Sequence, residues 1–350
     1  MTLIRANGDA MADGIERAPG ASLLEAAVVA RRYYLDRRQK SEIATELGVS
    51  RFKVARLLDL AHAAGLVHIT VDVPADVDLP LSDRLVARFG MRRAIVVRGT
   101  TPDGETAMDG ATLLPVVGVA AARFLAETLR ADETVGVSWG AGVGAVVDAI
   151  EGARAAAVVQ LVGGVRPTPL GSRSPTRPSR SGRDIVQALA GRLGAEAVPL
   201  DGPLLLESAR TAALLRRDPS VAETIARFGD VTTALVGIGS WSPPSSSLVE
   251  AVTGEERRAL VREGAVADVC GIVLGGDGRA VRSALPDRMI GIDATALGAV
   301  RNVVAVASGI DKAAAVAACL RSGLVDVLVT DAATAARVLA IGEADSPGAR

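Results

Sequence analysis

The chain has 350 residues, 49 % of them apolar, and a formal net charge of −1. Its length accommodates two domains and its apolar share a large buried core. Near-neutrality excludes overall basicity as a route to nucleic acid, and no apolar run reaches the ~18 residues that span a bilayer.

From the start, Met1 to Gly20 mixes Asp, Glu, Arg and Gly without the apolar stretch of a signal peptide, so residues 1–20 are expected to be disordered. A helical pattern opens at Ser22, a plausible N-cap, and runs to Leu35. A second helix is predicted from about Lys40 to Leu47, with Ile43, Ala44 and Leu47 on one face. A third is predicted from about Arg51 to Ala64, with Val54, Leu57, Leu58 and Ala61 at core spacing and Gly65 ending it. His68 to Val73 alternates like a short strand. Residues 21–73 therefore read as one small, mostly helical domain with a wing. Two prolines and two aspartates make 74–80 a linker.

Beyond Pro80, β-branched runs alternate with Ala/Leu-rich stretches. Strands are predicted at Ala94–Val97, Thr134–Ser138, Ala157–Val162, Thr233–Ile238, Met289–Ile292, Asn302–Ala307 and Val325–Thr330. Helices are predicted at Val116–Leu129, Gly142–Ile150, Asp184–Leu193, Asp311–Leu320 and Ala332–Leu339. Such alternation implies a Rossmann-like α/β domain over 81–341, with a mostly parallel sheet and helices on both faces. Residues 342–350 read as a loose tail. The Arg-, Ser- and Pro-rich stretch 166–183 reads either as a solvated loop or as a source of phosphate-binding arginines.

The two cysteines, Cys270 and Cys319, lie in apolar surroundings, and there are only two histidines and no CxxC. That points to reduced, buried thiols, a cytoplasmic setting, and neither a metal nor a cofactor.

The segment Ser41–Leu58 carries the first functional pattern. Ala44 lets two helices approach, Gly48 permits a left-handed turn, Val49 plugs the core between the helices, and Ser50 caps the third helix. Arg51, Phe52, Lys53 and Arg56 then face outward, where a recognition helix meets the major groove. Between Arg31 and Arg56 eight Lys/Arg stand against three Asp/Glu, a local excess of five. Operator DNA is the expected partner. The competing reading is a generic three-helix module with a solvated basic face.

The second pattern consists of glycine turns between strand and helix. Val137-Ser138-Trp139-Gly140-Ala141-Gly142 and Ala305–Lys312 both have this form, at the place where open α/β sheets bind ligands. Neither is a Walker loop or a GxGxxG motif. Lys312 in a first helical turn is unfavourable against the helix dipole unless an anion binds there. Trp139 and Trp241 adjoin glycine loops and read as packing or as sugar-stacking platforms.

Together these motifs resemble the SorC family of sugar-binding transcriptional regulators. The resemblance runs from about Ala21 to Ile341. It is carried by the helix-turn-helix with Gly65-Leu66-Val67, Ser138-Trp139-Gly140, Gln160–Gly164, Gly237–Ser240, Gly264–Asp268, Gly309 with Lys312, and Leu328–Asp331. It implies a C-terminal domain similar to phosphosugar isomerase and deaminase folds, binding a phosphorylated sugar or polyol without turnover, in a homodimer or homotetramer. By position it implies DNA contacts by Lys40, Ser50, Arg51, Phe52, Lys53 and Arg56. Ser138, Gly140 and Gly142 would fall in a phosphate-facing loop, with Gln160 and Gly163 in the next loop and Gly239 beside them. Asp268 would bind sugar hydroxyls, and Lys312 the phosphate or carbonyl end. The chain departs from the family pattern at Ala141-Gly142, where a polar pair is usual, at Ala267, where glycine is usual, and at Lys40, where glutamine is common. The alternative is a sugar-phosphate isomerase- or deaminase-like enzyme fused to a DNA-binding domain, with Asp268 as its base.

Overall fold

The structure, a computed structural model, describes residues 23–67, 77–99, 110–165 and 180–344. The expected N-terminal disorder, the wing strand at 68–73 and most of the arginine-rich stretch lie outside the described residues, as do positions 74–76 of the linker. The chain divides into two compact units between Val73 and Pro74.

The first unit holds α1 (Leu23–Tyr34), α2 (Lys40–Leu47) and α3 (Arg51–Ala63). Its core is Ala26, Val29, Ala30, Ile43, Ala44, Val54, Leu57, Leu58 and Ala61, with Val49 packed against it. The α2–α3 connection is three residues long. Gly48 takes the left-handed conformation (φ 63°), and the Val49 N–H closes back on the Ala44 carbonyl at 2.9 Å, a Schellman-type stop. Ser50 then caps α3, its hydroxyl accepting from the Lys53 N–H at 3.2 Å. Leu47, expected on the buried face of α2, is instead exposed, because only Ile43 and Ala44 of that helix point at α3.

The second unit opens with α4 (Leu79–Phe89), β1 (Arg93–Val97) and α5 (Gly110–Thr128). It continues through β2 (Thr134–Val137), α6 (Ala141–Ala149), β3 (Ala157–Gln160), α7 (Gly182–Leu193) and β4 (Glu196–Val198). Next come α8 (Ala209–Leu215), α9 (Pro219–Ala226), β5 (Val231–Gly237), β6 (Gly239–Ser240), α10 (Ser247–Ala251) and α11 (Gly254–Arg262). After these lie β7 (Ala265–Val269), β8 (Ile272–Gly275), α12 (Leu285–Arg288), α13 (Ala294–Ala299), β9 (Asn302–Val306), α14 (Ala313–Arg321), β10 (Val327–Asp331) and α15 (Ala332–Ala344).

Seven strands form one parallel sheet in the order β1-β10-β9-β5-β2-β3-β4. Its strands read Val/Ala-rich because both faces are buried. Alternate residues enter two cores: Val304, Val306, Val327 and Val329 join α5, α6 and α7 on one face, while Val303, Ala305 and Leu328 join α4, α14 and α15 on the other. The small antiparallel sheet β6-β7-β8 packs on α14.

Three expectations need correction. Met289–Ile292 is not a strand of the main sheet. It makes isolated bridges from Met289 to Leu205 and from Gly291 to Val162, clasping the exit of β3. The helix expected from Asp311 begins as a 3₁₀ turn, Ile310–Lys312, and becomes α-helical only at Ala313, so Lys312 is an N-cap residue and not part of the first α-turn. The tail expected to be loose from 342 is helical to Ala344.

Candidate functional site

Strand order decides where a ligand can enter. From β2 the chain moves outward to β3 and β4; from β5 it moves the opposite way to β9 and β10. The carboxyl ends of β2 and β5 therefore flank a topological switch point, the crevice in which open α/β sheets take ligands. Ser138–Gly142 leaves β2 there, Ile238–Ser240 leaves β5, and Ala307–Lys312 leaves the adjacent β9.

The β2 exit supplies bare backbone. Gly140 is the N-cap of α6 at φ 127°, ψ 166°, a conformation open to glycine, and offers no capping side chain. The first-turn amides of α6 thus have no intrahelical partner and form the positive end of the helix dipole. A Cβ on Gly142 would stand 2.9 Å from the Val306 carbonyl oxygen, so α6 packs directly on the end of β9 and a bare position there is required. Ser138 is buried, and its hydroxyl accepts from the Gly237 N–H at 3.2 Å, joining the ends of β2 and β5.

Gln160 and Gly163 stand one strand over. Gln160 is 2 % exposed and engaged at both ends: its amide donates to Val162 O at 2.7 Å, and its carbonyl accepts from Leu200 N at 3.2 Å. Gly163 donates to Ile290 O at 2.9 Å, and a Cβ there would meet the Pro203 backbone at 2.7 Å. Gln160 thus ties the exit of β3 to Leu200, and Gly163 lets that exit pack on the Pro203 backbone.

The β5 exit holds the charged groups. Gly239 pairs with Asp268 across β6 and β7, and a Cβ on Gly239 would stand 2.4 Å from Asp268 Oδ1. The Trp241 indole N–H donates to Asp268 Oδ1 at 3.0 Å, and the Ser246 hydroxyl also bonds that carboxylate. Lys312 Nζ donates to Ile238 O at 2.9 Å. Burial pushes Asp268 above the ordinary carboxylate range, against the Ser246 and Trp241 hydrogen bonds and the charge of Lys312. Burial likewise pulls Lys312 below the ordinary lysine range, against the influence of Asp268. The two groups thus stand in a dry place where burial disfavours the charged form of each. Trp241 is fully buried, so it packs and orients Asp268 and offers no stacking face; Trp139 is half-buried.

Beneath the β9 exit is a group that sequence reasoning quoted without a role. The Asp331 carboxylate accepts from the Ser308 hydroxyl, the Gly309 N–H, and the Thr334 N–H and hydroxyl, all within 2.9 Å. Burial opposes its ionisation, but the bonds from Thr334, Gly309 and Ser308 outweigh that and hold its pKa below the ordinary range. Its signal in sequence was only the Thr-Asp pair at the end of a strand. Ser246 had no such signal, since its partner lies 22 positions away.

In the first unit, Arg51, Phe52 and Arg56 project from the start of α3, with Phe52 83 % exposed. Lys53 is half-buried and pairs with Glu25 of α1 at 3.4 Å, and Lys40 lies over the Tyr33 ring at 5.6 Å. Arg32 and Arg38 both reach Glu46, at 3.3 and 3.4 Å. Part of the local charge excess is therefore balanced within the unit, while Arg51 and Arg56 stand exposed on α3. Among the described residues no cluster of His, Cys, Asp and Glu could hold a metal ion, and no helix is long and apolar enough to cross a membrane.

Residues 74–340 match the family model described as "Putative sugar-binding domain". The chain belongs to this family. Its place among the SorC-like transcriptional regulators, inferred from the motifs, rests on full-length likeness as well. It is 28 % identical over 337 residues to the transcriptional regulator LsrR of Enterobacter sp. (strain 638), covering 93 % of this chain and 96 % of that protein. It is 27 % identical over 308 residues to the deoxyribonucleoside regulator of Bacillus subtilis (strain 168), covering 87 % and 94 %. The fold matches the full-length sorbitol operon regulator SorC from Klebsiella pneumoniae with a TM-score of 0.65 at 24 % identity, covering 91 % of this chain and 99 % of that one.

Proposed function

We propose that the chain is a cytoplasmic, homo-oligomeric regulator whose affinity for operator DNA is set by a phosphorylated sugar or polyol bound at the switch point. The observation that carries the ligand class is the pairing of unlike groups at one end of the sheet. The uncapped N-terminus of α6 offers amides to an anion, while the buried Asp268 offers an acceptor and Lys312 a donor to sugar hydroxyls or a carbonyl. Asp268 acts here as a hydroxyl acceptor: its carboxylate is already held by Trp241 and Ser246, which suits fixed recognition better than proton transfer.

The DNA-reading element in this proposal is the α2–turn–α3 pair, a helix-turn-helix. Its glycine turn and serine cap set the angle of α3, and Arg51, Phe52 and Arg56 form its outward edge. Ser50 serves as cap, and Lys40 and Lys53 reach backbone phosphates after exchanging their intramolecular partners. Effector binding shifts operator affinity by favouring one state of the oligomer over another.

A thermal-shift screen against phosphorylated sugars and polyols, beside their unphosphorylated forms, tests the reading. An effector at about 100 times its Kd adds ~2.7 kcal/mol to stability. A rise in melting temperature with a phosphorylated compound, and none with its dephosphorylated form, is expected, with the compound recovered unchanged. No shift with any phosphorylated compound refutes the ligand class.

A further inference from the structure

The Asp331 network does more than close a loop. One of its oxygens, Oδ1, caps α15 by accepting the Thr334 N–H at 2.8 Å. The other, Oδ2, accepts from Ser308 Oγ at 2.9 Å, Gly309 N at 2.9 Å and Thr334 Oγ1 at 2.7 Å. The Gly309 N–H also reaches Thr334 Oγ1 at 3.0 Å. Gly309 starts the 3₁₀ turn that ends at Lys312, and the Lys312 N–H closes that turn on the Gly309 carbonyl at 2.9 Å. One carboxylate, 1 % exposed, therefore fixes both the start of α15 and the turn that aims Lys312.

Asp331 is also next to the point where the chain enters the sugar-binding domain. It pairs with Val97 in the β1–β10 register, and Val97 bridges to Val77. The neighbouring Val96 accepts the Asp78 N–H at 2.7 Å through its carbonyl, and its own N–H donates to the Ser82 hydroxyl at 3.2 Å. Asp78 caps α4, and α4 packs against α15. Both routes from Asp331, through β1 and through α15, meet at residues 77–82, the first described residues of the sugar-binding domain.

We propose that Asp331 is a positioning residue of the effector site, a single joint that sets the Ser308–Lys312 turn and ties that setting, through α15 and β1, to the start of α4. This rests on the effector reading for its purpose. Its test uses the full chain without any sugar, so a failed ligand screen and a failed joint give different results.

The test is amide hydrogen exchange on wild type, D331N, T334V and T334S. D331N is expected to accelerate exchange at least about tenfold in residues 308–312 and, together with them, in 77–82. T334V keeps the backbone N–H that bonds Asp331 Oδ1 but loses the hydroxyl shared with Gly309, so it should loosen the same two segments to a smaller extent. T334S restores that hydroxyl and should match wild type. A role limited to capping α15 would leave T334V and T334S alike. Acceleration confined to 332–336, or to only one of the two segments, or equal behaviour of T334V and T334S, overturns the proposal. If D331N fails to fold, the T334V and T334S pair decides alone.

Discussion

The two ends of the parallel sheet are built from different materials. At the amino end, charged side chains stitch strands together. Arg92 donates to Arg301 O at 2.8 Å and approaches Asp326 at 3.7 Å; Asp326 accepts from Val303 N at 2.8 Å; Arg301 pairs with the buried Glu133. At the carboxyl end, glycines replace side chains, helix α6 opens without a capping side chain, and a lysine and an aspartate are buried where neither ionises easily. The first end spends its polar groups on one another. The second leaves the first turn of α6 without a capping side chain and buries Asp268 and Lys312. Under the proposed function, stability and recognition fall at opposite ends of the same strands.

Substitutions at the two ends should separate accordingly. The largest expected effect is Gly239→Ala, since its methyl would overlap Asp268 Oδ1; effector affinity should fall about a hundredfold, with a melting temperature lowered by the overpacking. Titration with the effector found in the thermal-shift screen measures it, and unchanged affinity would place Asp268 outside the site. Lys312→Ala should weaken effector binding by roughly 10- to 100-fold, the contribution of a charge-assisted hydrogen bond, while leaving effector-free operator binding intact. Retained induction at normal effector concentration would remove Lys312 from the site.

At the amino end, Asp326→Ala leaves the N–H of the buried Val303 without its acceptor and should cost ~1–3 kcal/mol in chemical denaturation. Effector affinity should not move; if it does, the separation of the two ends is false. The acid limb of stability gives a smaller contrast. Asp331, with a folded pKa below its unfolded value, contributes stability that is present above the ordinary carboxylate pKa of ~3.9 and is lost as pH falls through the folded value. Asp268, shifted upward, acts with the opposite sign: its stability declines as pH rises from ~3.9 through its folded pKa. Urea unfolding from pH 6 down to pH 2 should show a shallower acid loss in D331N than in wild type. The smallest expected change is Arg51→Ala, which should reduce the salt slope of operator binding by about one phosphate contact without altering the effector response.

Most of the elements were legible locally. The glycine turn and serine cap between Leu47 and Arg51 appear in the structure as read, because capping and turn chemistry depend on residues within four positions of each other. The β7–β8 hairpin was not legible. Its two-residue turn is Cys270-Gly271, both with positive φ (51° and 81°), where asparagine would have announced it, and Cys270 was read only as a buried thiol. Met289–Ile292 has the pattern of a sheet strand yet makes only isolated bridges, because a short apolar run looks the same in either role.

By itself the sequence determined the three N-terminal helices with the turn and cap at 48–50, the alternation of strands and helices, the glycine turns at strand ends and the family they point to. These depend on periodicity and on neighbours along the chain. Only the tertiary structure decided that β2 and β5 lie side by side and lead away in opposite directions, which makes their exits one crevice. It alone brought Lys312 to the Ile238 carbonyl across 74 positions, Trp241 to Asp268 across 27, and Asp331 to Gly309 across 22. Strand order is a property of long-range pairing, and no local preference of backbone or side chain encodes it.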